Sequence, residues 1–586
     1  MSHAFRFALL IVLACSSAVS AQFTTHAEST DYVETPRYDE TIEYIRTLAA
    51  NSSWIHLESF GTTPEGRTMW SVIVSSEEAF TPAAAAATGH VKVLIQNGIH
   101  SGEIDGKDAS LALIRDMAVL KTRRALLDHV MLIIVPVFNI DGHEMMSKYN
   151  RINQDGPIEM GFRATGQNLN LNRDYLKVDT PEMAALVQLW NRWEPDLLID
   201  NHVTDGADFQ YATTYTISRH DSAPPSVRDW SRKIFVPVVT QKMKDMNEPI
   251  FPYVATGGRP LHEGITDFVE TPRYSTGYAP IRNRPGLLVE MHMLKNYKRR
   301  VTANYKMMVA VLEMLNEAPD ALKQANKTAD SMDIAGAFDH IPLRFERVDE
   351  PDTVDFLGYP YETRVSEISG GEWIVYDTTK KVTLRLPYYG QMRATLKIST
   401  PFAYLIPQQW TETIDKLALH GVHMNRLTAG VELDVETYLF DSVSFAERPF
   451  EGRHLVNYVT SSEMRRVAYP EGTYVVFLTQ PGMRLIMHAL EPDAPDSFFK
   501  WGFFNTILER KEYGERYASE ALGVDMLAND PAVKAEFEQR IQQDSSFAAD
   551  PTARWNFFYH RSKWSEPMLN VYPVGRLLQK TDLPLK

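Results

Sequence analysis

Val130–Phe138 reads VMLIIVPVF, nine residues with no polar one among them. A strand with one face in water alternates apolar and polar residues. A continuous apolar run rich in β-branched residues is the mark of a central strand covered on both faces. Three further runs share this character: VKVLIQ (91–96), DLLID (196–200) and GLLVEM (286–291). Between and after them lie segments with helical spacing, Lys107–Leu120, Thr180–Trp193 and Tyr297–Ala318. Thr180 is a natural N-cap, and Pro181 suits the first helical position. This alternation predicts an α/β fold over residues 31–318: a mixed, largely parallel sheet flanked by helices.

The chain has 586 residues, enough for more than one domain. Around Lys323–Asp333 (KQANKTADSMD) the composition turns polar, which suggests a boundary. Beyond it, Trp373–Tyr389 and Met392–Thr400 alternate like half-exposed strands, and Asp530–Gln543 reads as a helix. Residues 341–586 are therefore expected to form a separate β-rich or α+β accessory region of unassigned role. It carries no motif with a nameable chemistry.

Met1–Ala21 has a basic start, an apolar stretch and small residues before Gln22, the pattern of a secretory signal peptide cleaved after Ala21. A secreted or periplasmic protein is expected, with a lipoprotein anchored through Cys15 as the alternative. No other run is long and apolar enough to predict a transmembrane helix. Cys15 is the only cysteine, so a mature chain would have no disulfide, and a metal would have to be held by His, Asp and Glu. The formal net charge of -15 argues against nucleic acid as a partner. Oligomeric state is not legible.

Candidate chemistry gathers where the apolar runs stop. VKVLIQ is followed by NGIHSGE, with His100 and Glu103 three apart just past a strand, where open α/β sheets place their ligands. With 17 histidines, about one such pair is expected by chance. DLLID is followed by His202. Two strand-end sites together make a metal plausible, since a catalytic zinc takes three protein ligands and keeps one open position. GLLVE ends in Glu290, an ionisable group that is costly to bury without a function or a partner. A polar, Asn-rich stretch, GFRATGQNLNLNRDY, offers Arg163, Asn172 and Arg173. Arginine forks and a directed Asn donor suit a carboxylate, and a solvated loop is the plain alternative.

The ordered set HSGE, NLNLNRDY, DNHVTDG and GLLVE resembles the zinc carboxypeptidases, and SFGTTPEGRTMW is similar to that family's early strand pair. The likeness covers about residues 31–318. It implies a metallopeptidase with one zinc ion per chain, acting on peptides with a free C-terminus. His100, Glu103 and His202 resemble the zinc ligands, and Glu290 the catalytic base. Arg163, nine residues before Asn172, resembles the arginine that stabilises the oxyanion. Asn172 and Arg173 resemble the pair that holds the substrate carboxylate. Two positions depart from the family pattern. Asn170 stands where an aspartate usually supports a ligand histidine, so it would accept that N–H without a charge. Tyr274 and Tyr278 are both candidates for the site tyrosine. A zinc amidase or deacylase acting on acylated amino acids or cell-wall peptides is the rival activity, and a binding protein with a relic site is the rival outside catalysis.

Overall fold

The computed structural model describes residues 22–204 and 206–586. The signal sequence expected over residues 1–21, Cys15 included, lies outside them. The chain divides into two compact units. The first comprises the chain up to Thr400 together with Asp415–His423 and Phe477–Ser497. The second comprises Pro401–Ile414, Met424–Val476 and Phe498–Lys586.

The first unit is built on an eight-stranded sheet: β1 (Ile55–Thr62), β2 (Thr68–Val74), β3 (Val91–Asn97), β4 (Val130–Val135), β5 (Leu197–Thr204), β6 (Thr213–Ile217), β7 (Ile250–Pro252) and β8 (Gly286–His292). The spatial order is β1-β2-β4-β3-β5-β8-β6-β7. The four central strands, β4, β3, β5 and β8, run parallel. β2 joins β4 and β6 joins β8 antiparallel. The continuous apolar runs are thus the central strands, and every residue of β4, β5 and β8 is buried. Helices α1 (Asp105–Ile114), α2 (Pro181–Trp193), α3 (Ser275–Ile281) and α4 (Tyr297–Glu317) connect or follow these strands. α2 starts as its sequence suggests, with the Thr180 side chain accepting from Met183 N and Pro181 in the first turn.

The polar stretch Lys323–Asp333, expected to mark a boundary, falls inside the first unit. It lies in α5 (Pro319–Ile334), which buries Leu322, Ala325, Asn326, Ala329 and Asp333. Its apolar positions are few and small, so its periodicity is faint in the sequence. The first unit then continues through β9 (Asp352–Gly358), β10 (Tyr361–Val365), β11 (Glu372–Tyr376) and β12 (Val382–Tyr389). Phe356 of β9 and Leu386 of β12 close a small core with Phe209, Tyr211, Val254, Leu261 and Ile265. These strands therefore pack on the loops that follow β5 and β7.

The second unit is β-rich, as expected of the C-terminal part. Its long hairpin pairs Val431–Phe445 with Val456–Tyr469, largely exposed. Four helices between Arg516 and Tyr559 pack around Phe537, Phe547, Phe557 and Phe558. The helix expected over Asp530–Gln543 is present, with Asp530 capping Ala532 N and Val533 N. No helix among the described residues is long and apolar enough to cross a membrane.

Candidate active site

β3 stops because the chain must turn. Gly98 has φ +63, a left-handed conformation that other residues resist. The turn brings His100 and Glu103 beside β5, where His202 faces Glu290 across the parallel pair β5·β8. One ligand atom from each of His100, Glu103 and His202 lies within 4.8 Å of the others, and all three side chains are buried.

Glu103 is the hub. Its Oε1 lies 3.2 Å from His100 Nδ1. Its Oε2 lies 3.0 Å from His202 Nδ1 and accepts from Val203 N at 3.0 Å. Each imidazole is held from behind through Nε2, by Asn170 Oδ1 at 3.1 Å for His100 and by Asp200 Oδ2 at 2.9 Å for His202. Gln96 Nε2 in turn donates to Asp200 Oδ1 at 2.9 Å. Such outer contacts fix ring orientation and leave the inner nitrogens for a shared ligand. Asn170 does this while its Oδ1 also accepts from Asn172 N at 3.0 Å.

The electrostatics suit a cation. Burial pushes His100 down to about 4, against the pull of Glu103, so the ring is neutral at pH 7. Burial opposes charge on Glu103, but Arg151 and His100 outweigh it and hold the carboxyl well below the usual range. Burial also opposes charge on His202, and there Asp200 and Glu103 outweigh it. Burial drives Glu290 well above the ordinary carboxylate range. His202 counters this, while Glu103 and Glu270 add to it. Four buried atoms of the site, His100 Nδ1, Glu290 Oε2, Asn172 Oδ1 and Arg151 Nε, have no hydrogen-bond partner. Buried polar atoms are rarely left so. Two imidazoles and a carboxylate aimed at one point, one nitrogen orphaned, fit a divalent zinc-like ion.

A cavity of 150 Å³ opens beside this cluster, and its lining includes Arg163, Asn172, Arg173, Tyr274 and Glu290. Arg163 Nη1 reaches Glu103 Oε1 at 3.2 Å. Asn172 and Arg173 sit on a short 3₁₀ turn, Leu171–Arg173. The Arg173 guanidinium lies 4.4 Å from the centre of the Tyr274 ring. Tyr274 thus lines the cavity, whereas Tyr278 is buried away from it. The Tyr278 hydroxyl is 2.9 Å from His420 Nδ1 and accepts from Arg282 Nη1 at 2.8 Å. Arg273, next to Tyr274, is clamped by the fully buried Asp496, which takes its main-chain N–H at 2.8 Å and its Nε at 2.6 Å.

Three charged groups of the site are not evident from the sequence. Arg151 Nη1 lies 2.8 Å from Glu103 Oε1, and its side chain fills the space over Gly102, where a Cβ would stand 2.3 Å from Arg151 Cδ. Gly102 is required for that approach rather than for its backbone angle. Glu270 lines the cavity half-buried, accepts from Thr276 Oγ1, and has its carboxyl pushed up by burial. Asp200 holds His202, and its only signal in the sequence is an acid ending an apolar run. Asp174, the acid after Arg173, is instead a structural knot that takes Thr180 N at 2.9 Å and Lys177 Nζ at 2.5 Å.

Residues 41–234 match the model of the zinc carboxypeptidase family. The chain carries a zinc carboxypeptidase domain. The assignment makes it a metallopeptidase. Carboxypeptidase 2 of Trichophyton equinum is 23% identical over 489 residues, covering 78% of this chain and 82% of that protein. Carboxypeptidase 2 of Trichophyton rubrum is also 23% identical, over 488 residues and the same shares. Both alignments run well past the matched domain. Among solved structures, carboxypeptidase A from Helicoverpa armigera superposes with a TM-score of 0.36 at 15% identity, covering 51% of this chain and 75% of that one. A metallo-carboxypeptidase from Pseudomonas aeruginosa gives 0.37 at 15% identity, over 49% and 69%.

Proposed function

We propose that the protein is a secreted zinc carboxypeptidase that removes the C-terminal residue of peptides. The observation that carries this reading is the single cavity shared by the His100–Glu103–His202 cluster, Glu290 and Arg173. His100, Glu103 and His202 would hold one zinc ion per chain. When bound there, zinc would act as a Lewis acid towards the scissile carbonyl and acidify a water.

The remaining work falls to the chain's own groups. Glu290, adjacent to His202 across the sheet, accepts the proton of the attacking water and returns it to the leaving amine. Arg163, with Arg151 beside it, faces the oxygen that becomes negative, a charge that preorganised donors stabilise. Arg173 and Asn172 grip the terminal carboxylate, with the Tyr274 ring beneath the guanidinium fixing its plane. Asn170 and Asp200 keep both ligand imidazoles oriented.

The test compares blocked dipeptides with free and amidated C-termini, in zinc-loaded and chelator-treated protein. The reading expects cleavage of the free form only, lost with chelator and regained with zinc. Equal cleavage of both forms would remove the carboxylate-directed step. Full activity in metal-free protein would remove the zinc.

A further inference from the structure

The six-stranded sheet of the second unit has two edges, and they are treated differently. One outer strand is the short Asn425–Arg426. The last residues of the chain cover it: Lys586 N donates to Arg426 O at 3.0 Å, and Leu585 bridges Leu427. The other outer strand is Val456–Tyr469, the second arm of the long hairpin. Outer strands are commonly blunted by shortness, proline, lysine or a bulge. Ser461–Ala468 (SSEMRRVA) has none of these, and its pairing with Glu432–Leu439 is regular. Ser461, Ser462, Glu463 and Met464 are exposed in succession, so both faces of the strand stand in water there.

The main-chain groups on the open side follow from the first arm. Tyr438 O accepts from Tyr572 N at 2.9 Å, and Phe440 N donates to Asn570 O at 3.0 Å. Both bonds lie on the side away from the second arm. In an antiparallel pair, such residues face partners whose own N–H and C=O also point outwards. Tyr438 faces Ser462 and Phe440 faces Thr460. By alternation Ser462, Met464 and Arg466 turn their N–H and C=O to the open side. Among the described residues no other strand pairs with them there.

We propose that this edge pairs with the same edge of a second copy of the chain, antiparallel, about a two-fold axis through Met464. The charges choose the register. Glu463 and Arg465 share one face and pair within the strand. Open groups meet open groups only where the two facing residue numbers are both even or both odd. Under that rule Glu463 meets an arginine only as the partner's Arg465. Symmetry then sets Arg465 against the partner's Glu463, and Met464 against the partner's Met464. Moving the axis by one residue would set Glu463 against the partner's Glu463, or Arg465 against the partner's Arg465. Unlike charges directly opposite stabilise a strand pair, and like charges destabilise it. The pairing uses the same edge on both copies, so assembly stops at two.

The test is sedimentation of the full chain over a concentration series. The intact protein should dimerise reversibly. Glu463→Arg sets arginine against arginine at both sites, and Arg465→Glu sets glutamate against glutamate. Each should weaken the dimer at least about tenfold. Mixed one to one, the two single variants regain both unlike pairs and should associate as tightly as the intact protein, which misfolded variants could not do. Met464→Cys should give a disulfide-linked dimer on mild oxidation, because facing residues of a hydrogen-bonded pair have Cα atoms about 5.5 Å apart. Ser462→Cys should not, since Ser462 lies four residues along from the partner's Ser462, about 13 Å. A monomer at every concentration, open-ended aggregates, or a dimer indifferent to both charge variants would overturn the proposal. So would a mixture no tighter than its parts, or crosslinking at Ser462→Cys as ready as at Met464→Cys.

Discussion

The two units of the chain treat charge in opposite ways. The first sinks ionisable side chains into its interior: Lys107, Asp105, Asp108, Asp200 and Arg300 are all nearly free of solvent contact. Most are paired, as Arg300 Nε is with Asp105 at 2.8 Å. Among the described residues, the second unit buries one charged side chain, Arg576, which pairs with Glu436. Others lie at the surface, as Arg466 of the hairpin does with Asp434 at 3.0 Å, both more than half exposed. Buried charge is costly unless it is matched. The first unit accepts that cost repeatedly, and Glu103, His202 and Glu290 do so in the lining of one cavity. The second unit largely avoids it.

The sharpest way to break this contrast is at the metal cluster. Chelation, or His202→Ala, should abolish zinc binding and turnover, read as metal content and activity on one preparation. Retained metal in the variant would move the third ligand elsewhere. Next comes Glu290→Gln, which should lower kcat by about 10²–10⁴ with zinc retained. Near-normal turnover would transfer the base role to another carboxylate, with Glu270 the nearest candidate. Arg173→Ala should cost about 1.5–3 kcal/mol in kcat/KM, the worth of a hydrogen bond to a charged group, mostly through KM. It should also erase the preference for free over amidated ends.

Two smaller effects concern stability. Glu182 in α2 is buried with neither carboxylate oxygen hydrogen-bonded, and burial pushes its carboxyl up to about 7. The folded state holds a proton that the unfolded chain releases near 4.5, so Glu182 makes stability fall as pH rises from about 4.5 to 7. Glu182→Gln should flatten the Tm profile across that window and raise Tm at pH 8. A profile unchanged from pH 4.5 to 8 would show that its carboxyl is solvated. In the second unit, Arg466→Ala removes an exposed pair and should shift stability by less than about 0.5 kcal/mol. A larger loss would mean that this unit, too, depends on its charges.

The same contrast explains what can be read in advance. Val91–Gln96, Val130–Val135 and Gly286–Met291 announce themselves because central parallel strands need apolar residues on both faces. Their ends therefore locate His100, Glu103, His202 and Glu290 almost by punctuation. Arg151 and Glu270 come from loops brought in by tertiary folding, and no local period marks a residue whose partner is 48 positions away, as Glu103 is from Arg151, or 68, as His202 is from Glu270. Tyr274 and Tyr278 lie four apart in the same stretch, and only packing separates the one under Arg173 from the one beside His420. α5 escapes notice because a helix that buries alanines and an asparagine looks polar in sequence.

The clamp on Arg273 joins residues 223 positions apart. Its consequence concerns time rather than space. A chain being synthesised holds all the metal-cluster residues, Glu290 and Arg173 long before it holds Asp496. Closing so long a loop also comes late, because its ordering entropy is met before its contacts reward it. The backbone next to Tyr274 is therefore secured only after Asp496 has been made, well after the metal-cluster residues.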